Sequence, residues 1–259
     1  MNISLLLVSL FSFSSVLSKC YSSSRFISMK LIKNHLVAET HSLTKYQPRT
    51  QNQKKYIEYL TNPKISIVGG VGPAGSGKTL FACHAAVSSL KNSVVDKIII
   101  TRPLISVDEE ELGFLPGSIA NKMDPWTRPI FDILGEFYST NQIKSMVENG
   151  IVEISPLAYM RGRTFKRSFI IADEMQNSSP NQMLMMLTRI GENSKLVITG
   201  DLKQSDRSGL NGLCDFTQKM KSSYNEEQSL IKFVELNNVD VQRSPVVSHI
   251  LDIYDSVKK

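Results

Sequence analysis

The 259-residue chain is 41% hydrophobic and 21% charged, enough for one sizeable core and unlike a disordered or fibrous protein. Cys20, Cys83 and Cys214 are widely separated and match no metal-ligand spacing, which argues against a disulfide framework or a zinc module. The net charge of +6 is uneven: residues 1–57 carry eight basic side chains against Glu39 alone, so the other 202 residues sum to −1. The basic excess resides in the leader and is no evidence that the core binds nucleic acid.

Residues 1–45 read as an N-terminal leader. Ile3 to Leu17 is an apolar run diluted with serine, shorter and more polar than a membrane span. It is like the central region of a secretory signal, although no Lys or Arg precedes it and no A-x-A cleavage pattern follows. Tyr21 to Lys45 is rich in Ser, Lys and Arg, with Glu39 as its one acid, a composition that suits an organellar transit segment. Two readings stay open: a targeting segment, or an unfolded extension of a cytoplasmic protein with its start at Met29. Residues 46–259 form the second unit.

Thr50 to Tyr56 leads into an amphipathic run that ends near Leu60 and is punctuated by Asn62-Pro63. Gln53 lies a short distance before the glycine-rich loop described next. Its amide offers the donor and the acceptor that an adenine edge requires; a solvated helix N-terminus would look the same.

Ile65 to Val71 is apolar and β-branched, as a buried strand should be, and Leu80 to Val87 reads as an apolar helix. Between them Gly72, Pro73, Ala74, Gly75, Ser76, Gly77, Lys78 and Thr79 spell G-x-x-x-x-G-K-T, the phosphate-binding P-loop. Glycines let the backbone curl so that successive N–H groups face phosphate oxygens. The helix N-terminus adds partial positive charge. Lys78 is expected to reach the β- and γ-phosphates and the Thr79 hydroxyl to bind Mg²⁺, so the chain is expected to bind a nucleoside triphosphate.

Asp96 to Thr101 reads as a second buried strand, which with the intervening helix predicts a right-handed βαβ unit in a parallel sheet. Arg102 would sit at the C-terminal end of that strand, where ligands gather, either against a phosphate or a neighbouring subunit or as a surface turn residue. Asp108 to Glu111 is an acidic run read as solvated loop or helix cap. A helix from Ile119 to about Tyr138 is expected, interrupted near Pro125 and Pro129, with Trp126 in the core. A short helix over Gln142 to Glu148 should stop at Gly150. Ile151 to Ile154 is a third strand. The following Met160-Arg161-Gly162-Arg163-Thr164 is either a phosphate-facing loop or a solvent-exposed basic turn.

Ser168 to Ala172 is an apolar strand ending in Asp173 and Glu174, the Walker B pattern. Asp173 is expected to hold Mg²⁺, mostly through water. Glu174 is expected to orient or deprotonate the attacking water. Asn181 to Ile190 is a helix whose methionines, Met183, Met185 and Met186, suit core packing. Lys195 to Asp201 is another strand, and Thr199, Asp201 and Gln204 are expected beside the γ-phosphate, where a side-chain amide can sense it. A helix over Gly209 to Met220 and an edge strand over Ile231 to Leu236 follow. Arg243 precedes a last helix through Tyr254, and reaches either a γ-phosphate or a structural ion-pair partner.

Taken in order, these motifs resemble the PhoH family of phosphate-starvation ATPases, relatives of superfamily 1 helicases. The resemblance runs from about Thr50 to Tyr254. It is carried by GPAGSGKT at 72–79, TRP at 101–103, LGFLPG at 112–117, DPWTRP at 124–129 and PLAYMRGRTF at 156–165. ADEMQN at 172–177, LTRIG at 187–191, TGDLKQSD at 199–206 and DVQRSP at 240–245 complete it. It implies an α/β, RecA-like P-loop NTPase fold with a mostly parallel sheet flanked by helices. It further implies Mg²⁺-dependent ATP hydrolysis, ring-shaped homo-oligomers and remodelling of single-stranded RNA or DNA. By the same resemblance Gln53 falls on the adenine-reading glutamine, Gln204 on the motif coupling γ-phosphate to nucleic acid, and Arg243 on the late arginine.

One departure is clear: Ser205-Asp206-Arg207-Ser208 stands where most bacterial members carry Ile-Asp-Leu-Pro, which affects the partner-facing half of that loop. The roughly 200 residues beyond the leader suffice for one RecA-like domain, so strand translocation would require a neighbouring subunit to close the site. The leading reading is therefore an ATPase acting on RNA or DNA as a homo-oligomer. Its alternatives are a nucleotide-gated regulatory or assembly module that hydrolyses slowly, and a small-molecule phosphotransferase. The compartment is cytoplasmic by family resemblance, or organellar if the leader is a targeting segment.

Overall fold

The structure, a computed structural model, describes residues 46–103, 128–205, 210–223, 230–242 and 246. Its elements in chain order are α1 (Gln51–Thr61), β1 (Ile67–Val71), α2 (Lys78–Lys91), β2 (Lys97–Arg102), a helical segment α3 over 128–135, α4 (Thr140–Glu148) and β3 (Val152–Pro156). Then come β4 (Ser168–Ala172), α5 (Pro180–Leu187), β5 (Lys195–Gly200), α6 (Gly212–Ser223) and β6 (Ile231–Glu235). Short 3₁₀ turns cover Leu157–Met160, Met175–Asn177 and Asn238–Asp240.

All six strands run parallel in the order β3-β2-β4-β5-β1-β6. Parallel strands must be covered on both faces, and their near-continuous apolar sequences reflect this. On one face Ile67, Ile99, Ile170, Leu196 and Ile198 pack with Met183 and Met186 of α5 and Leu213 of α6. On the other, α2 lies against β2, β4 and β5, and α1 against β1 and β6. Strand β1 is pinched between rings. A Cβ at Gly69 would fall 2.3 Å from the Phe233 ring, and one at Gly70 2.6 Å from the Tyr56 ring on the opposite face. Larger residues at either position would push α1 or β6 off the sheet.

The strand β5 stands between the P-loop strand β1 and the carboxylate strand β4. At roughly 4.8 Å per strand this holds the two about 10 Å apart, with the end of β5 in the gap. The sheet is thus the expected RecA-like arrangement of parallel strands flanked by helices.

Several boundaries differ from expectation for local reasons. Helix α4 begins at Thr140 because Ser139 and Gln142 form a reciprocal capping box. Helix α5 starts at Pro180, capped by Ser179 with Gln182, and stops at Leu187, short of Ile190. Beyond it the chain turns to pair with the 163–167 segment: the Phe165 N–H donates to Arg189 O and the Gly191 N–H to Phe165 O. That pairing ends the helix. The methionines are core side chains as expected, Met183 and Met186 being fully buried. Arg163 is no phosphate-facing group here, because it makes a two-pronged ion pair with Glu153 and stacks over the Phe165 ring. That pairing holds the Glu153 carboxyl below its ordinary value. The acidic run 108–111, Trp126, the LGFLPG and DPWTRP motifs, Arg243 and the leader lie outside the described residues.

Candidate nucleotide site

The P-loop leaves β1 at Gly72, which bonds back to the sheet through its N–H to Gly200 O at 3.0 Å. Gly72 and Gly77 both take positive φ, 149° and 91°, where L side chains are strained. Neither site has room for one in any case: a Cβ at Gly72 would lie 2.2 Å from Leu236 O, and one at Gly77 2.8 Å from the Phe81 ring. These two glycines curl residues 72–77 over the N-terminus of α2. Pro73 O accepts from the Ser76 hydroxyl at 2.8 Å, fixing the fully buried Ser76 inside the loop. Ala74 and Gly75 form the crest, and Gly75 O accepts from the Gln242 N–H at 3.1 Å. The Lys78 ammonium folds back across the loop mouth, donating to Gly72 O at 2.7 Å and Pro73 O at 2.8 Å.

Facing the loop, Asp173 leaves the sheet at the end of β4, its N–H donating to Thr101 O at 2.9 Å. It is 7% exposed, yet its carboxylate is well supplied with donors. The Thr79 hydroxyl reaches Asp173 Oδ1 at 2.9 Å across 94 residues of sequence, and the Thr199 hydroxyl from β5 donates to the same oxygen. Thr79 and Asp173 are hard oxygen ligands brought together on one side of the sheet. They fit Mg²⁺, which takes one or two protein oxygens and keeps most of its water. No cluster of three or more His, Cys, Asp or Glu suited to a metal occurs among the described residues, so a fully protein-built cage is not an option there.

Glu174 follows directly. Its backbone is left-handed, φ 53° and ψ 41°, which costs a non-glycine residue about 1 kcal/mol or more. Its half-exposed carboxylate lies 3.9 Å from the Arg102 guanidinium at the end of β2 and accepts from Gln176 Nε2 at 2.6 Å. Sequence reading gave Gln176 no role, although its place two residues after Glu174, within the ADEMQN motif, could have flagged it. Asp201, 6% exposed, follows β5 directly, and its Oδ1 accepts from the Lys203 N–H at 2.9 Å. Gln204 closes the same turn through its N–H to Asp201 O at 3.4 Å, with its side chain exposed.

Gln53 is placed differently from a free adenine reader. It is 1% exposed, donates to Ser76 O at 3.2 Å and to Asp240 O at 3.1 Å, and accepts from the Arg49 N–H at 2.9 Å. Its amide is engaged at both ends with backbone, so an adenine contact would require those bonds to be exchanged. Asp240 belongs to the same clamp. Its carboxylate accepts from the Thr50 hydroxyl, from Asn52 Nδ2 at 3.0 Å and from the Asn237 N–H at 2.7 Å. Burial would raise its pKa, but these three donors outweigh that and hold it below the ordinary value.

A glycine-built loop opening a helix, a carboxylate strand opposite it and an intervening strand that supplies Thr199 together define a P-loop NTPase fold of the RecA-like class. The chain belongs to the PhoH-like protein family, whose pattern matches residues 45–255. A PhoH-like protein of Mycobacterium tuberculosis is 42% identical over 213 residues, covering 80% of this chain and 57% of that one. One from Bacillus subtilis is 42% identical over 209 residues, covering 80% and 63%. Protein PhoH of Escherichia coli is 37% identical over 210 residues, covering 80% and 57%. The chain thus spans less than two thirds of the length of each of these relatives. Among solved structures, Pif1 helicase from Candida albicans matches at a TM-score of 0.41 and 13% identity, over 83% of this chain and 45% of that one, a likeness too loose to argue from.

Proposed function

We propose that this protein binds ATP with Mg²⁺ and hydrolyses it, and that it couples turnover to remodelling of single-stranded RNA or DNA as a homo-oligomer. The observation that carries the hydrolytic part is the meeting of Thr79 and Asp173 at 2.9 Å, with the Glu174 carboxylate next in sequence and 3.9 Å from Arg102. This divides the labour that phosphoryl transfer to water requires. Lys78 and the N–H groups of residues 74–79 hold phosphate oxygens. Thr79 and Asp173 hold Mg²⁺, which when bound neutralises charge on the β- and γ-phosphates. Glu174 takes up a proton from, or orients, the attacking water.

The nucleic-acid and oligomer parts rest on the family and on the single P-loop sheet that the described residues form. Gln204, exposed on the turn after β5, is proposed to report nucleotide state outward. Arg243 is proposed to complete the site of its own or a neighbouring copy.

The test is phosphate release by the full chain, with and without single-stranded RNA or DNA, beside a Glu174→Gln control. Turnover that rises with nucleic acid and is lost in the control supports the proposal. Nucleotide binding with slow turnover indifferent to nucleic acid would replace it with a nucleotide-gated module.

A further inference from the structure

Gln176, in the 175–177 turn, touches both halves of the chemistry. It is 3% exposed and bonded through both ends of its carboxamide. Nε2 donates to Glu174 Oε2 at 2.6 Å, and Oε1 accepts from the Asp201 N–H at 3.1 Å. One arm therefore holds the carboxylate at the end of β4, and the other holds the first residue beyond β5. Its carbonyl adds a third tie, accepting from the Ser205 hydroxyl at 3.2 Å. The whole 201–205 turn, including Gln204, is thereby fastened to the residue that grips Glu174.

The surroundings leave this side chain little freedom. A Cβ at Gly200 would fall 2.5 Å from Gln176 Oε1 and 2.6 Å from Leu213 Cδ2, so the strand closes directly over the amide. Glu174 needs such a hold. It is half-exposed and sits on a left-handed backbone that the turn must impose, and a carboxylate free to rotate would spend little time facing a bound water. A short hydrogen bond from an amide that is itself locked is the kind of support that fixes a reacting group. A carboxamide places a donor and an acceptor at opposite corners of one side chain, so Gln can span the two strands where an ionised Glu, Met or Ser cannot.

We infer that Gln176 is a positioning residue for Glu174, and that its second arm transmits movement of the 201–205 turn to the carboxylate. The inference rests on the hydrolytic reading above. It gives that reading a route by which an event sensed at Gln204 reaches the water-orienting group without a change in nucleotide affinity.

The test is ATP hydrolysis by the full chain carrying Gln176→Met, which keeps the bulk and removes both arms, and Gln176→Glu, which keeps an acceptor for Asp201 and removes the donor. Both are expected to lower kcat by about tenfold or more with KM for ATP within about twofold. The melting temperature of Gln176→Glu should fall, because it buries a second carboxylate beside Glu174, so its rate is read well below its unfolding transition and Gln176→Met carries the comparison. In single-turnover measurements with excess enzyme, Glu174→Gln combined with Gln176→Met should be no slower than Glu174→Gln alone, because Gln176 acts through that carboxylate. Unchanged kcat in both variants, or losses that multiply in the double variant, would overturn the inference while leaving hydrolysis intact. Absence of phosphate release by the wild-type chain would instead remove the hydrolytic reading itself.

Discussion

The Gln53 amide donates to Ser76 O at 3.2 Å, joining the first turn of α1 to the inside of the P-loop. With its second donor on Asp240 O, the side chain clamps the loop between a helix before it and a turn near the other end of the chain. Gln53→Ala should therefore destabilise the fold by about 1–3 kcal/mol, since buried backbone acceptors lose their donors. It should also weaken ATP and GTP analogues to a similar degree. Thermal melting and fluorescent-nucleotide titration check this; a loss confined to ATP would show instead that the amide turns to read adenine.

Asp173 is shared by hydroxyls from α2 and β5, so its removal should damage metal use more than folding. Asp173→Asn is expected to lower turnover by about a hundredfold or more. Titrating Mg²⁺ against rate should show a higher requirement in the variant, with metal-free nucleotide binding much less affected.

Lys195 donates to Tyr59 O at 3.1 Å and Asn62 O at 2.7 Å, capping the C-terminus of α1 from β5. Burial pulls its pKa down to about 8 from its ordinary value of 10.5. Between those values the unfolded chain binds more protons than the folded one, so this group's contribution to stability grows as pH rises. Relative to Lys195→Met, the wild type should gain stability between pH 8 and 10, read as the difference between their urea unfolding curves. A difference independent of pH would show that the ammonium is not desolvated.

Cys83 is 1% exposed in α2, and burial followed by the nearby Asp173 charge pushes its thiol pKa up. A thiol held protonated and enclosed reacts slowly. Iodoacetamide should label the partly exposed Cys214 in the native protein well before Cys83, as peptide mass spectrometry would show. Rapid native labelling of Cys83 would mean that α2 opens readily.

The strands and the P-loop were legible because their signals are local: β-branched runs, glycines at fixed spacing, and two carboxylates closing an apolar segment. The edge position of β6 could be read from its alternation; Ile231 to Phe233 are half-buried, Val234 is buried and Glu235 exposed. The end of α5 could not, because it depends on Arg189 and Gly191 pairing with Phe165, a partner more than twenty residues earlier. The same holds for Gln53. A glutamine before a P-loop offers an amide, but only the three-dimensional meeting with Ser76 and Asp240 shows where it is directed. The Arg163 loop is likewise, from sequence, either phosphate-facing or a solvent-exposed basic turn, and its pairing with Glu153 of β3, ten residues earlier, is visible only in the fold.

With six strands running one way, every turn that feeds a strand lies on the side away from the phosphate loop. The turns ahead of β2 and β5 reach the surface at Val94, which is 58% exposed, and at Asn193. An immobilising tether or a fluorophore attached at either point would leave the reactive side free. Surface-based nucleotide-binding assays could then be run without the attachment competing for the phosphate loop.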